Sequence, residues 1–247
     1  NVYAYAAIDD KDTVATADDD LIFYAGLERL NPDGDAYIDI EFLQAKTGLD
    51  EAIPCNDPGQ DTIPCHFTGT GRTVNDMIVS MNFSNGGAIG AIEVRRWNGT
   101  EYILEEALVG EGCTGDELLC GFNNAAGIDG GPWLNYNSQN QVITTLEANA
   151  FTEFGVNVTD VIEGDPCVTT VMAKTRSSTS FTSELKDFAG PVPFEICGAN
   201  IGIEQSATNE VDDEHTFTVT VNKSLGSSES PAPNGTIVDV DLTPTPT

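Results

Sequence analysis

Positive charge is the scarcest feature of this 247-residue chain: ten Lys and Arg stand against forty Asp and Glu, a formal charge of −30. Nucleic acid and anionic membrane surfaces are held by Lys and Arg, so neither is an expected partner. Histidine is nearly absent too. His66 and His215 lie in unrelated contexts and neither accompanies a G-x-S-x-G or comparable nucleophile signature. Two separated histidines are also too few for a zinc centre. No apolar run approaches the ~18 residues of a membrane span, so no membrane insertion is expected. No segment of about 12 residues or more has helical periodicity, and no internal repeat is visible, which disfavours helical bundles and propellers. Carboxylates are too plentiful to be diagnostic: none stands alone in an apolar setting that would raise its pKa for general acid work. The chain is therefore expected not to be an enzyme.

What is present is alternation with a period of two. Leu21–Leu43 reads as a β-hairpin around Pro32-Asp33-Gly34-Asp35. Leu21, Phe23, Ala25 and Leu27 share one dry face, Ile38, Ile40 and Phe42 another, and Asp39 and Glu41 lie on the wet side. Residues 1–8 read as a strand. Residues 76–83, 88–97 and 101–108 read as an antiparallel meander joined by Asn85-Gly86-Gly87 and Asn98-Gly99, dipeptides that accept the positive φ of tight turns. Further strands are expected at 141–147, 150–158, 168–175 and 180–188, with a short helical turn, Thr159–Glu163, capped by Thr159. The predicted fold is all-β: a jelly-roll-like antiparallel β-sandwich over residues 1–200, then a linker and a two-strand β-arm over 201–247.

The six cysteines fall as Cys55/Cys65, Cys113/Cys120 and Cys167/Cys197, with no C-x-x-C spacing. That pattern favours disulfides over a metal cluster, and hence a secreted, extracellular or cell-surface chain. Starting directly in strand-like sequence suggests a mature form whose leader has been removed. Five N-x-[ST] sequons, at Asn82, Asn98, Asn157, Asn222 and Asn234, fit an exported glycoprotein.

Three constellations carry chemistry. Asp18, Asp19 and Asp20 with Asn31, Asp33 and Asp35 offer the hard oxygen donors that calcium takes; the bland reading is a solvated acidic turn. Trp97, Trp133 and Tyr136 offer a glycan-stacking platform, against the plainer reading of Trp97 as a core or rim anchor and Trp133 as a loop plug. In the arm, Phe217, Val219 and Val221 alternate with threonines, and Ile237, Val238 and Val240 lie in the second strand. Two strands alone leave an apolar face wet. An unpaired edge of this kind is a template for strand addition between subunits, giving a homopolymer assembled head to tail.

Several segments resemble a recurrent type of uncharacterised, exported microbial surface protein. They are Gly26-Leu27-Glu28-Arg29 with Asn31-Pro32-Asp33-Gly34-Asp35-Ala36-Tyr37-Ile38; Phe83-Ser84-Asn85-Gly86-Gly87 with Arg96-Trp97; and the string from Arg176 to Phe188 followed by Cys197-Gly198. Asn209 to Val221 is similar to the opening of the immunoglobulin-like repeats that often follow in such proteins. The resemblance covers most of residues 20–198 and implies a surface-displayed or structural role, without catalytic residues to carry over. The expected function is a cell-surface or extracellular-matrix structural protein, stabilised by calcium and polymerised through the arm; the alternative is a non-catalytic carbohydrate-binding or adhesion module.

Overall fold

The computed structural model describes residues 1–9, 11, 20–49, 67–69, 71–84, 86–162, 167–180, 183–194, 196–203, 218–225, 228–232 and 238–239. It divides into two units, residues 1–196 and residues 197–247. The first is built from strands β1 (Val2–Asp9), β2 (Asp20–Glu28), β3 (Ala36–Leu43), β4 (Met77–Ser84), β5 (Ala88–Trp97), β6 (Tyr102–Val109), β7 (Leu119–Asn123), β8 (Phe151–Asn157), β9 (Thr170–Arg176) and β10 (Leu185–Pro193), together with several two-residue ladders.

One sheet has the order β1-β2-β8-β7, extended by Gly112–Cys113; the other has the order β10-β9-β3-β4-β5-β6. The pairings within both are antiparallel. The chain passes from one sheet to the other after β2, after β6 and after β8, which makes an all-β sandwich. Alternation decides which side chains fill the space between the sheets: Phe23 and Leu27 from β2, Ile40 and Phe42 from β3, Val79 and Met81 from β4 and Val156 from β8 are all buried. Phe23 stacks on Phe42 across the interlayer space with ring centroids 4.9 Å apart. Gly121 of β7 leaves room for Ile92 of β5, whose Cδ1 would lie 2.0 Å from a Cβ at that position.

The alternation in Leu21–Leu43 holds, but the segment is not a hairpin. β2 pairs with β1 and β8, whereas β3 pairs with β9 and β4. The two dry faces look at each other across the sandwich, a separation of about 10 Å that adjacent strands of one sheet cannot have. The connection between them is an arch, and it is locked at its corner. Arg29 is buried, donates through Nη1 to Gly87 O (2.9 Å) and through Nη2 to Gly34 O (3.3 Å), and lies over the Phe83 ring 4.2 Å from its centroid. Asn123 Nδ2 donates to the same Gly87 carbonyl at 3.1 Å. Gly87 has φ +96°, and a Cβ there would fall 1.8 Å from the Pro32 carbonyl oxygen. Gly34 and Gly87, from two turns read separately in the sequence, thus meet on one arginine.

Other boundaries differ from the sequence reading. Residues 141–147 form two short ladders, Val142–Ile143 and Thr145–Leu146, not one strand. The helical turn is Val158–Val161, capped by Asn157, whose Oδ1 accepts from Asp160 N. Thr159 instead accepts from Leu21 N through Oγ1. β10 begins later than expected and runs to Pro193.

The second unit is a three-stranded antiparallel sheet of β11 (Cys197–Ile203), β12 (Val219–Leu225) and β13 (Ser228–Pro231), with β12 in the middle. The predicted linker at 201–209 is corrected over its first residues, which belong to β11. The two-strand arm is corrected to three strands, because the Ser/Pro-rich segment after Leu225 turns back on β12. Val238 and Asp239 lie in no strand, and Phe217, Ile237 and Val240 fall outside the described residues.

Gly87→Ala places a methyl against the Pro32 carbonyl at a positive φ, so it should destabilise the chain by about 2 kcal/mol or more. Urea unfolding of the variant beside the parent chain measures this; an unchanged midpoint would show that the arch is not held there.

Candidate functional site

The outward side of the six-stranded sheet holds charge that is not wet. Asp39 and Glu41 alternate with the core residues of β3 and so point away from the interlayer space, yet both are fully buried, as is Ser80 beside them. The expectation that the two acids lie on a solvated face is therefore corrected. Their neighbours explain it. Asp39 accepts from Arg176 Nε at 2.7 Å and from Ser80 Oγ at 2.6 Å, with Lys174 Nζ 3.9 Å away. Glu41 is bound by Lys174 Nζ and by Arg72 Nη2, the latter at 2.8 Å. Arg72 Nε also donates to the Tyr102 hydroxyl at 2.8 Å. Burial, reinforced by the Glu41 carboxylate, holds the Tyr102 phenol above its ordinary range. Above this face lies the ladder Gly48–Leu49/Phe67–Thr68, with Phe67 against Phe188 of β10 (5.5 Å). Each carboxylate already has its cations, so neither is an isolated acid available for proton transfer. Asp76 is also buried and accepts from Gln44 N and Thr73 N, both at 2.8 Å. Burial raises its pKa, against the lowering effect of those N–H groups.

The outward side of the five-stranded sheet is different in kind. The register places Tyr5 opposite Tyr24 and Tyr24 opposite Gly155, then Tyr3 opposite Gly26 and Gly26 opposite Glu153. Phe122 stands opposite Glu153 on the next strand. Together these residues floor an open cleft of about 800 Å³. The two glycines set its shape. The Phe151 ring lies over Gly26, 2.8 Å from where a Cβ would be, and the Tyr24 ring lies over Gly155 at 3.2 Å. Tyr5 and Tyr24 stack at 29° with centroids 6.4 Å apart. Tyr3 packs on Trp133 (4.6 Å) and Phe151 (6.2 Å). Tyr3 also donates its hydroxyl to Glu28; burial first, and this bond second, hold the phenol above its ordinary range. Tyr5, Tyr24 and Trp133 remain 66%, 46% and 56% exposed.

Of the glycan residues expected from sequence, Trp133 belongs to this aromatic group. Tyr136 sits in the ladder Asn135–Tyr136/Val142–Ile143 and lines a different, more polar cleft of about 540 Å³ with Asn137 and Gln139. Trp97 is on the other sheet, edge-on to Tyr102 at 5.3 Å. Tyr3, Tyr5, Tyr24, Phe122 and Phe151 were not singled out from sequence, although a tyrosine at every outward position of Val2–Tyr5 and another in β2 is a readable sign.

Of the expected calcium ligands, Asp18 and Asp19 lie outside the described residues. Asp20 is engaged by Lys11 Nζ (3.0 Å) and Asn157 Nδ2 (2.7 Å), and Asn31 Oδ1 accepts from Asp33 N at 3.0 Å. Asp35 is exposed in the same turn. No group of three or more His, Cys, Asp or Glu gathers as a metal site among the described residues. Cys113 and Cys120 form a disulfide across neighbouring strands, and Cys167 is disulfide-bonded; Cys55 and Cys65 fall outside the described residues. Among the sequons, Asn98 caps an exposed turn, Asn82 is half-buried in mid-strand, Asn157 is used as a helix cap, Asn222 lies in β12 and Asn234 is outside the described residues. Comparison with protein-family models, with characterised proteins and with solved structures found no match.

Arg176→Met leaves the Asp39 carboxylate buried with its main counter-charge gone, and should cost about 3–5 kcal/mol. Adding Asp39→Asn should recover more than half of that loss; a double variant no more stable than the single one refutes the charge argument. For Asp76 the sign follows from its raised pKa. The folded chain keeps this proton to higher pH than the unfolded chain, whose carboxyl titrates near ~4, so the stability from this group is full at low pH and falls as pH rises through the folded pKa. Urea titrations from acid to neutral pH should accordingly find Asp76→Asn gaining on the parent chain as pH rises.

Proposed function

We propose that this chain is an extracellular, non-enzymatic structural protein that assembles with copies of itself through its C-terminal sheet. The observation that carries the reading is the unclosed apolar face of that sheet. The register sets Ile201 opposite Val221 and Ile203 opposite Val219, so four aliphatic side chains share one face. Ile201 and Ile203 are 59% and 58% exposed. Burying two such side chains is worth about 1.5–3 kcal/mol each, a drive toward any surface that can cover them.

The edge of the same sheet supports the kind of contact. β11 is paired on one side by β12 and on the other by no described strand. A strand from a second copy added there gains main-chain hydrogen bonds and covers the isoleucines together. Added head to tail, such contacts propagate into a filament unless the rotation closes a ring. An oxidising compartment is supported by the Cys113–Cys120 bridge and by the bonded state of Cys167. The charge of −30 keeps the remaining surfaces of neighbouring copies apart.

The double variant Ile201→Asp/Ile203→Asp removes the apolar drive and adds like charge at the contact. In sedimentation velocity the parent chain should show concentration-dependent assemblies and the variant a single monomeric species. A parent chain that stays monomeric at every concentration, or a variant with the same size distribution, rejects the proposal.

A further inference from the structure

We infer that the aromatic cleft on the five-stranded sheet is a binding site for oligosaccharides of amino sugars bearing free ammonium groups. The rings decide the shape of the ligand. Tyr5 and Tyr24 present adjacent, largely exposed rings on one flat face, with Tyr3 and Trp133 continuing the surface along β1. Gly26 and Gly155 let the Phe151 and Tyr24 rings lie down on the sheet, which makes the floor broad and flat, so the ligand that matches it brings broad apolar faces rather than a protruding side chain. Pyranose rings have such faces, one after another.

The polar groups decide the ligand's charge. The cleft is bordered by Asp9, Asp20, Asp116, Glu117, Glu153 and Asp160, with Lys11 the cation among its lining residues. Lys11 is drawn to Asp20 at 3.0 Å, Asp116 accepts from Thr114 Oγ1 at 2.9 Å, and Asp160 accepts from Asn157 at 2.9 Å. Glu153 stands exposed between the Gly26 floor and Phe122, with no partner among the described residues. Ionised carboxylates only accept hydrogen bonds, so the ligand that suits them is rich in donors, and an ammonium adds charge complementarity. The same cation is attracted to the faces of Tyr and Trp. Anionic glycans are repelled by the same wall.

The inference does not rest on the self-assembly proposed above, and the Ile201→Asp/Ile203→Asp variant should bind as the parent does. The test is isothermal titration of the full chain with a glucosamine hexamer, its fully N-acetylated counterpart, a galacturonic acid hexamer and spermine. The glucosamine hexamer should bind more tightly than the acetylated one, and the galacturonate should not bind. Tyr5→Ala and Tyr24→Ala should each weaken the glucosamine hexamer by about tenfold. Glu153→Gln, which keeps the side chain's shape, should weaken it while sparing the acetylated hexamer. The inference fails if the glucosamine hexamer does not bind. It fails equally if spermine binds as well as the hexamer and the tyrosine variants change nothing, since attraction would then come from net charge alone.

Discussion

Two carboxylates buried on the outward side of a sheet, Asp39 and Glu41, constrain the order of the strands around them. They sit on β3, the strand at the centre of the six-stranded sheet, and desolvating them is tolerable only while Arg176, Lys174 and Arg72 stay in place. Those cations come from β9 and from the segment leading into β4, the two strands that flank β3. Ionic pairing and strand pairing therefore specify the same order. A register slip on either flank would break hydrogen bonds in the ladder and also strand a buried charge.

The same arrangement divides the protein's electrostatics. Arg72, Arg95, Arg96, Lys174, Arg176 and Lys186, six of the ten cations, belong to the six-stranded sheet or its edge and are paired there with acids. The outward side of the other sheet is left with an excess of carboxylates around exposed rings. One face thus pairs its buried acids with cations, while the other is open, anionic and aromatic.

Much of the sandwich was legible in the chain, because a period of two marks both strand and buried side. The meander of β4, β5 and β6 and the core positions of β2 and β3 follow from it directly. Strand partners did not follow. A Pro-Asp-Gly-Asp turn between two alternating runs has the same appearance whether the runs pair with each other or face each other across a core, and only the distant strands β8 and β9 decide between these. Burial of Asp39 and Glu41 was hidden for a similar reason: the cations that make it possible lie 31 or more positions away. The aromatic cleft is assembled from β1, β2, β7 and β8, so no single window of sequence contains it. Tyr3, Tyr5 and Tyr24 at outward positions were its one local trace.

The arch between β2 and β3 also bears on how the molecule comes into being. A chain emerging from its N-terminal side releases Leu21–Leu43 long before Phe151–Asn157 and Thr170–Arg176, two of the four strands that pair with it, have left the ribosome. Each of the two early strands gains one neighbour soon, β1 for the first and β4 for the second, but its other edge stays open until the distant strand β8 or β9 follows, the slow regime of distant contacts. The acids scattered through Asp33, Asp35, Asp39 and Glu41 then serve a second purpose: mutual repulsion keeps nascent copies from joining along those open edges before the proper neighbours arrive.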